Sequence, residues 1–263
     1  MRIARYAVAD AIHYGVVELE ADGGGFPGTV SDLSGDPFSG GVTLTGVRHA
    51  LESVRLLAPV LPRSKVVGTI ARAYPAGQAG EGYPGLFIKP NTSVIGPGEA
   101  IQIPSLSSAT VLEAELAIVI SRICRSVTLE RVPEVIFGYT VANDVTATDL
   151  QGDGMPWGLA KSWDSFTPLG PWIITHLSLE EVGNLAVTAQ LDDEVVSRAS
   201  TRDVHKPVAE IVRLVSSVMT LLPGDVILCG KLGEAPVLRA GQSVSIEIEE
   251  LGVLTNPVIG AEE

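Results

Sequence analysis

The sequence predicts a mainly β fold with α elements, an α+β architecture, and three observations support this class. Short apolar runs rich in Val and Ile are separated by Pro, Gly and Asp turns along most of the chain. A single segment has the three- and four-residue apolar spacing of a long amphipathic helix. Strands and helices do not alternate regularly, which argues against a TIM barrel or a doubly wound sheet.

The first elements in the chain are short strands. Clusters of glycine at 23–25 and 40–41 divide the N-terminal segment into pieces such as residues 14–19. We therefore predict a small N-terminal β-rich domain over residues 1–58 and a larger domain over residues 59–263. Residues 74–85 hold too many glycines and prolines for a helix, so a mobile loop is expected there.

Beyond that loop the pattern mainly indicates strands. They are predicted at 86–88, 101–103, 111–120, 137–141, 172–174, 226–229 and 244–248. One helix is predicted from Pro207, which suits a first turn, and its apolar positions recur as far as Leu222 before Pro223 follows. The apolar face of this helix should cover a sheet.

Composition narrows the range of partners. In 263 residues, 31 Asp and Glu stand against 18 Lys and Arg, a formal net charge of −13 that would repel nucleic acid and anionic lipid. The charged residues at positions 1–5 are not followed by the apolar run typical of a signal peptide, and no apolar run is long enough to span a bilayer, so we expect a cytoplasmic protein without a membrane segment. Cys124 and Cys229 have no CxxC partners and are predicted to be small buried hydrophobes.

Two glutamates mark the segment that is richest in chemical information. In the predicted strand 111–120, side chains alternate between faces, so Glu113 and Glu115 point the same way. The strand is apolar enough to be buried on both faces, where two ionised carboxylates need a cation or a proton. A third acid, Asp144, comes directly after the apolar run at 135–143, which is predicted to be a strand. An oxygen-only ligand set of this kind favours Mg²⁺, Mn²⁺ or Ca²⁺ over zinc.

A second interpretation needs no metal. Glu113 and Glu115 could lie on a solvated edge, paired with Arg122 or Arg125, and Asp144 could be a turn or capping residue. The Glu-x-Glu spacing, taken alone, favours this second interpretation.

Several longer motifs change that balance. They are KVV (65–67), FIKP (87–90), EAELAIVI (113–120), GYTVAND (138–144), DLQ (149–151), KSWDSFTPLGP (161–171) and LPGDVI (222–227). In this order they resemble the fumarylacetoacetate hydrolase family, over roughly residues 57 to 258. The resemblance implies a mixed β-sandwich roll, usually a homodimer, that binds Mg²⁺ or Mn²⁺ and acts on acylpyruvates, 2-oxo acids or related 1,3-dicarbonyls. Residues 1–58 resemble the N-terminal extension of a bacterial branch that includes oxaloacetate decarboxylases and isomerase/decarboxylases.

The resemblance also implies roles for individual residues. Glu113, Glu115 and Asp144 match the family's metal ligands, Lys161 its active-site lysine and Gln151 a glutamine of the cleft. A metal that chelates two neighbouring carbonyl oxygens stabilises an enolate, and a lysine ammonium would stabilise the same charge. Without the motif, Lys161 would be taken for a solvated surface lysine.

One part of the family pattern is missing. Members that hydrolyse or decarboxylate usually carry a His and a Glu that activate water. Alignment on Tyr74 puts Gly77 and Gly80 at those two positions, and Glu81 is one residue away. Glu81 is therefore a candidate catalytic residue beside Lys161, but the usual general base is absent.

Residues at the family's substrate-binding positions also depart from the family pattern. Thr148 stands where the family has an arginine, and Lys231 lies in the run Cys229–Gly233 that replaces the family's Thr-Gly-Thr-Pro. Threonine cannot reproduce a bidentate clamp on a carboxylate, which predicts a changed substrate. The candidate substrate-binding residues are Tyr74, Thr148, Gln151 and Lys231.

The leading hypothesis is a divalent-metal-dependent enzyme that acts on a β-dicarbonyl, 2-oxo-acid-like or polyketide-like small molecule. Because the water-activating pair is missing, decarboxylation, tautomerisation, dehydration or cyclisation is favoured over hydrolysis. Two alternatives remain open. One is ordinary acylpyruvate hydrolase or oxaloacetate decarboxylase activity, with Glu81 or His205 as a substitute base. The other is a non-catalytic, metal-bearing protein that binds a ligand in the same cleft.

Overall fold

The computed structural model describes residues 1–19, 28–70, 85–152 and 157–260. Strand is the main regular structure in these ranges, which confirms the predicted fold class. The strands are β1 (Arg2–Val8), β2 (Ala11–Glu18), β3 (Thr29–Leu33), β4 (Leu44–Ala50), β5 (Arg55–Leu57), β6 (Val66–Ile70), β7 (Gly85–Lys89), β8 (Val94–Ile95), β9 (Ile101–Gln102), β10 (Thr110–Val111), β11 (Ala114–Ile120), β12 (Ile136–Asn143), β13 (Thr146–Ala147), β14 (Thr167–Ile174), β15 (Ala186–Leu191), β16 (Glu194–Ser200), β17 (Val226–Leu228), β18 (Ser243–Ile248) and β19 (Gly252–Ile259).

The helices are short apart from one. They are α1 (Pro37–Gly40), α2 (Gly158–Lys161), α3 (Leu179–Val182) and α4 (Val208–Val218), with 3₁₀ turns at Leu51–Ser53, Asn91–Ser93, Leu129–Glu134, Thr148–Leu150 and Thr201–Asp203. None of the helices in the described ranges combines the length and apolar character that crossing a bilayer requires.

One large sheet organises the molecule. Its strand order is β4-β3-β2-β1-β14-β12-β11-β17-β6-β7, and a second sheet has the order β16-β15-β18-β19-β9. β1 pairs with β14 through Arg2 and Ile3, opposite Ile174 and Ile173. The N-terminal strands therefore extend the main sheet. A domain boundary at residue 58 stays a prediction.

Strand β11 lies at the centre of this sheet and every one of its residues is buried. It runs antiparallel to both of its neighbours, β12 and β17. Leu116 and Ile118 on one face belong to the apolar core that includes buried residues of α4. Ala117 and Val119 on the other face belong to a second core. This burial on both faces is the environment that the sequence predicted for the two glutamates.

Two predicted boundaries were wrong. The strand predicted at 111–120 is interrupted, because the backbone N–H of Glu113 donates to the side-chain oxygen of Asn143 at 3.1 Å and not to a backbone carbonyl of the neighbouring strand. The helix predicted to reach Leu222 ends at Val218, and Met219 is extended. Leu221 instead exchanges backbone hydrogen bonds with Cys124 at 2.9 and 3.0 Å, so its apolar side chain is buried outside the helix.

The two cysteines are both free thiols. Cys229 is fully buried, as predicted, whereas Cys124 is only half-buried. The loop predicted at 74–85 lies outside the described residues except for Gly85, which begins β7.

Candidate metal centre

Strand pairing brings three acidic side chains together. In an antiparallel pair, the start of one strand lies beside the end of the other. Glu113 directly precedes β11 and Glu115 is its second residue, whereas Asp144 directly follows β12, where its N–H donates to the carbonyl of Glu113 at 2.9 Å. One carboxylate oxygen from each of the three lies within 4.8 Å of the other two.

These carboxylates are not on a solvated edge. Glu115 is 2% and Asp144 1% exposed, and 17% of the Glu113 side chain is accessible. Glu113 pairs with Lys161, not with Arg122 or Arg125. The second interpretation of the glutamate pair is therefore wrong.

Two lysines reach into the acidic cluster. Lys161 ends α2, is 2% exposed and donates from Nζ to Glu113 Oε2 at 2.7 Å and to Asp144 Oδ2. Lys89 ends β7, is completely buried and donates to Asp144 Oδ1 and to the Phe166 carbonyl at 2.7 Å. The sequence placed Lys161 in this site but gave Lys89 no role. The sequence feature that could have indicated Lys89 is its position directly after the apolar run 86–88.

Charge is unbalanced inside the cluster, where three carboxylates face two lysines. Burial opposes the ionised form of Asp144, but the ammonium groups of Lys161 and Lys89 outweigh it and hold the pKa of Asp144 below its usual value. Burial also opposes the charged form of Lys161, yet Asp144 and Glu113 raise its pKa. Burial, with the nearby charge of Asp144, raises the pKa of Glu115 well above its usual value. Within the described residues, Glu115 is thus the carboxylate of the cluster that has no direct ion pair.

The residues present fit a hard divalent cation. Each ligand atom available is a carboxylate oxygen, the type that Mg²⁺, Mn²⁺ and Ca²⁺ prefer. A carboxylate oxygen accepts more than one bond, so contact with Lys161 leaves Glu113 and Asp144 able to bind an ion. Thr146 supports the cluster by donating from its hydroxyl to Glu113 Oε2 at 2.9 Å. A divalent ion here would neutralise the carboxylate of Glu115.

Glycine is required beside this cluster at position 230. The N–H of Gly230 donates to Glu115 Oε2 at 2.8 Å. Its φ is +103°, and a Cβ added there would lie 2.9 Å from Nδ1 of His205. The close approach of backbone to carboxylate therefore depends on the absence of a side chain.

Of the remaining predicted site residues, three are described by the structure and two are not. Thr148 and Gln151 are half-buried at the 3₁₀ turn that packs against α2, the helix of Lys161. The Thr148 hydroxyl donates to the Ala109 carbonyl at 2.8 Å. Lys231 is exposed, directly after Gly230. Tyr74 and Glu81 lie outside the described residues.

Together, the fold and this geometry define a mainly β protein with a buried, oxygen-lined site suited to a hard cation. The chain belongs to the fumarylacetoacetate hydrolase family, since the family model for the fumarylacetoacetate (FAA) hydrolase C-terminal domain matches residues 65–259. A second model, described as Rv2993c-like, N-terminal, matches residues 1–59. The resemblance read from the motifs is confirmed.

Individual relatives cover nearly the whole chain. The solved structure of a 5-carboxymethyl-2-hydroxymuconate delta-isomerase from Mycobacterium smegmatis is 38% identical, with a TM-score of 0.88 over 99% of this chain and 100% of that one. A mitochondrial oxaloacetate tautomerase, FAHD2A of Bos taurus, is 33% identical over 93% of this chain and 84% of the relative. A maleylpyruvate hydrolase from Sphingobium sp. SYK-6, solved with manganese(II) and pyruvate, is 26% identical, with a TM-score of 0.79 over the full length of both.

These comparisons establish the general character of the protein. It is a member of an enzyme family that includes isomerases, hydrolases and oxaloacetate tautomerases. One of these relatives, the maleylpyruvate hydrolase, was solved with a divalent metal ion.

Proposed function

We propose that this protein is a divalent-metal-dependent isomerase that interconverts the keto and enol forms of a small 2-oxo acid. The observation that carries the proposal is the buried cluster of Glu113, Glu115 and Asp144, which lacks one positive charge and is bridged by Lys161. Such a cluster combines a site for a hard cation with a fixed ammonium group.

We assign the chemistry as follows. Mg²⁺ or Mn²⁺, with Ca²⁺ as a third possibility, would be held by the three carboxylates and would supply electron withdrawal from two neighbouring substrate oxygens. Lys161 keeps its proton because Asp144 and Glu113 surround its ammonium group. It can therefore donate a hydrogen bond to a substrate oxygen that gains negative charge. Lys89 holds Asp144 in place from the buried side.

Isomerisation is favoured over hydrolysis because of what each reaction demands. Hydrolysis needs a base that activates water, and residues 71–84 contain no histidine in the segment where the family pattern expects one. Keto–enol conversion needs only a proton moved between carbon and oxygen. The names of the delta-isomerase and the oxaloacetate tautomerase among the relatives support this choice.

The substrate side of the proposal uses Thr148, Gln151, Tyr74 and Lys231. Thr148 cannot clamp a carboxylate as arginine does, and its hydroxyl already donates to a backbone carbonyl. The exposed Lys231 supplies a cation at another position near the cluster. We therefore propose a substrate with a 2-oxo acid at the metal and its second polar group placed differently from a simple diacid.

The test is an assay on protein stripped of metal with a chelator. Addition of Mg²⁺ or Mn²⁺ should restore rapid conversion of enol-oxaloacetate to its keto form, followed as loss of enol absorbance. Glu113→Ala should abolish the metal-dependent rate, whereas Glu247→Gln, at an exposed position of β18, should keep it. Rapid hydrolysis of acylpyruvates that requires Glu113, without faster tautomerisation, would establish the hydrolase alternative instead. Tight binding of a 2-oxo acid without turnover would establish the non-catalytic one.

We also propose a homodimer in solution, as the family resemblance implies. Sedimentation equilibrium should give twice the mass of the chain, and a monomer at micromolar concentration would contradict it.

A further inference from the structure

We propose that His205 is the proton-carrying residue of this enzyme and takes the place of the family's usual base, which this chain lacks. The inference rests on the proposed function, because it names the group that moves the proton in the isomerisation. Three observations carry it: the position of the ring, a buried nitrogen without a partner, and the occupation of the other histidines.

The ring of His205 lies against the residue that contacts the metal cluster. His205 precedes α4 and its ring faces Gly230, where an added Cβ would be 2.9 Å from Nδ1 and 3.3 Å from Cε1. The N–H of Gly230 in turn donates to Glu115 Oε2 at 2.8 Å. One residue without a side chain therefore separates the imidazole from a carboxylate of the cluster.

The second nitrogen of this ring is not satisfied by the protein. Among the described residues, Nε2 of His205 is buried and has no hydrogen-bond partner. A buried polar atom left in this way costs about 1–3 kcal/mol and calls for an explanation such as a bound ligand. Burial, together with the charge of Lys206, lowers the pKa of His205. The ring is therefore neutral near pH 7 and able to accept a proton.

The other three histidines are engaged elsewhere. His13 Nδ1 lies 3.1 Å from Asp32 Oδ1, and His176 Nδ1 lies 2.9 Å from the N-terminal amine. His49 packs edge-on against the buried ring of Tyr6 in the N-terminal strands. His205 is the histidine whose ring lies near the carboxylate cluster.

The proton balance of the step is simple. Imidazole Nε2 takes a proton from the carbon between the two carbonyl groups of the keto form. The C–H electron pair becomes the C=C bond, and the carbonyl π pair moves to its oxygen beside the Lys161 ammonium. Return of the proton from imidazolium to that oxygen gives the enol, and the reverse sequence restores the ketone, so nothing is consumed.

The experiment uses the full chain with Mn²⁺ or Mg²⁺. His205→Gln keeps a side chain that forms hydrogen bonds but cannot exchange a proton, and His176→Gln is the matched control. We expect His205→Gln to lower kcat for tautomerisation by about 10²- to 10⁴-fold, with Mn²⁺ affinity and KM unchanged. Added imidazole should partly restore the rate of His205→Ala. The His176→Gln variant should behave as wild type.

Nuclear magnetic resonance of histidine labelled with ¹⁵N provides a measurement that does not depend on turnover. Oxalate added with Mg²⁺ should shift the Nε2 signal that is lost in His205→Gln and leave the signals of His13, His49 and His176 in place. An unmoved His205 signal, or an active wild type with full kcat in His205→Gln, would overturn the inference. A wild type that binds Mn²⁺ and oxalate but does not accelerate tautomerisation would overturn the proposed function itself, and the inference with it.

Discussion

Two regions of the same sheet each bury a carboxylate, and they satisfy it in different ways. Asp32, in the N-terminal strands, is 8% exposed and accepts hydrogen bonds from Tyr6 at 3.0 Å and Thr45 at 3.2 Å, with His13 at 3.1 Å. Glu115, in the central strand, is 2% exposed and accepts from the N–H of Gly230. Its other neighbours include two further carboxylates.

The difference separates a structural acid from one that needs a ligand. The fold supplies Asp32 with donors from three other strands, so burial of its charge is compensated within the chain. Around Glu115 the chain places two further carboxylates, and burial and the charge of Asp144 outweigh the opposing charge of Lys161, so the pKa of Glu115 rises. A buried acid indicates a metal site when the protein around it leaves it uncompensated.

The largest effect is expected from Asp144→Asn. This change removes a ligand and leaves the buried ammonium groups of Lys89 and Lys161 without their shared partner, which should cost about 3 kcal/mol in unfolding free energy. Mn²⁺ binding by calorimetry and metal-dependent turnover should both be lost. Asp32→Asn should keep both, and the comparison fails if Asp32→Asn also loses Mn²⁺.

The sequence predicted the acidic part of this site because strand alternation is a local property. Glu113 and Glu115 share a face within three residues, and Asp144 stands at a recognisable strand end. Lys89 was not predicted, since a lysine at a strand end usually lies on the surface and its partner Asp144 is 55 residues away. Whether such a lysine is buried depends on how the sheet brings distant strands together.

Long-range contacts also explain why the sequence did not predict two features of the fold. Apolar spacing could not show that the helix ends at Val218, because an apolar residue such as Leu221 is buried equally well in a helix or in an extended segment. Its extended position is set by the backbone hydrogen bonds with Cys124. Nor could spacing place His205 beside Gly230, since that contact joins two loops and follows no period. Long-range pairing decided each of these features.

Lys89→Met should have the next largest effect. It removes a fully buried cation that holds Asp144, so the metal-free protein should lose about 3 kcal/mol of unfolding free energy and bind Mn²⁺ more weakly. Lys65→Met is the matched control. Lys65 forms an ion pair with buried Asp225, with 2.6 Å between Nζ and Oδ2, and neither residue belongs to the carboxylate cluster. Denaturant unfolding and calorimetry should show that Lys65→Met lowers stability alone. Equal weakening of Mn²⁺ affinity in both variants would contradict the role of Lys89.

A smaller change is expected from Thr146→Val. The Thr146 hydroxyl donates to Glu113 Oε2 at 2.9 Å and orients a proposed ligand, and loss of such a contact typically weakens metal binding about 10- to 100-fold. Thr45→Val removes the comparable bond to Asp32 at 3.2 Å and should leave Mn²⁺ affinity unchanged. The prediction is wrong if titration gives the two variants the same affinity.

The smallest effect concerns the pH dependence of the metal-free protein. The pKa of Glu115 is raised in the folded state, so its protonated form is favoured there. The contribution of Glu115 to folding stability is therefore fully present below the unfolded value of 4.5 and is lost as the pH rises from there through the folded pKa. Unfolding curves of Glu115→Gln should lack this decline, and saturating Mg²⁺ should reverse it in wild type. A wild-type protein with the same pH dependence of stability as Glu115→Gln would contradict the assignment.

The central claim is that Glu113, Glu115 and Asp144 converge on one divalent ion, with Lys161 beside it. Diffraction from crystals grown with Mn²⁺, recorded so that manganese scatters anomalously, tests it directly. We predict a single anomalous peak bonded to oxygens of all three carboxylates, with the ammonium group of Lys161 beside it. No peak at saturating Mn²⁺, with Lys161 still joining Glu113 to Asp144, would contradict it.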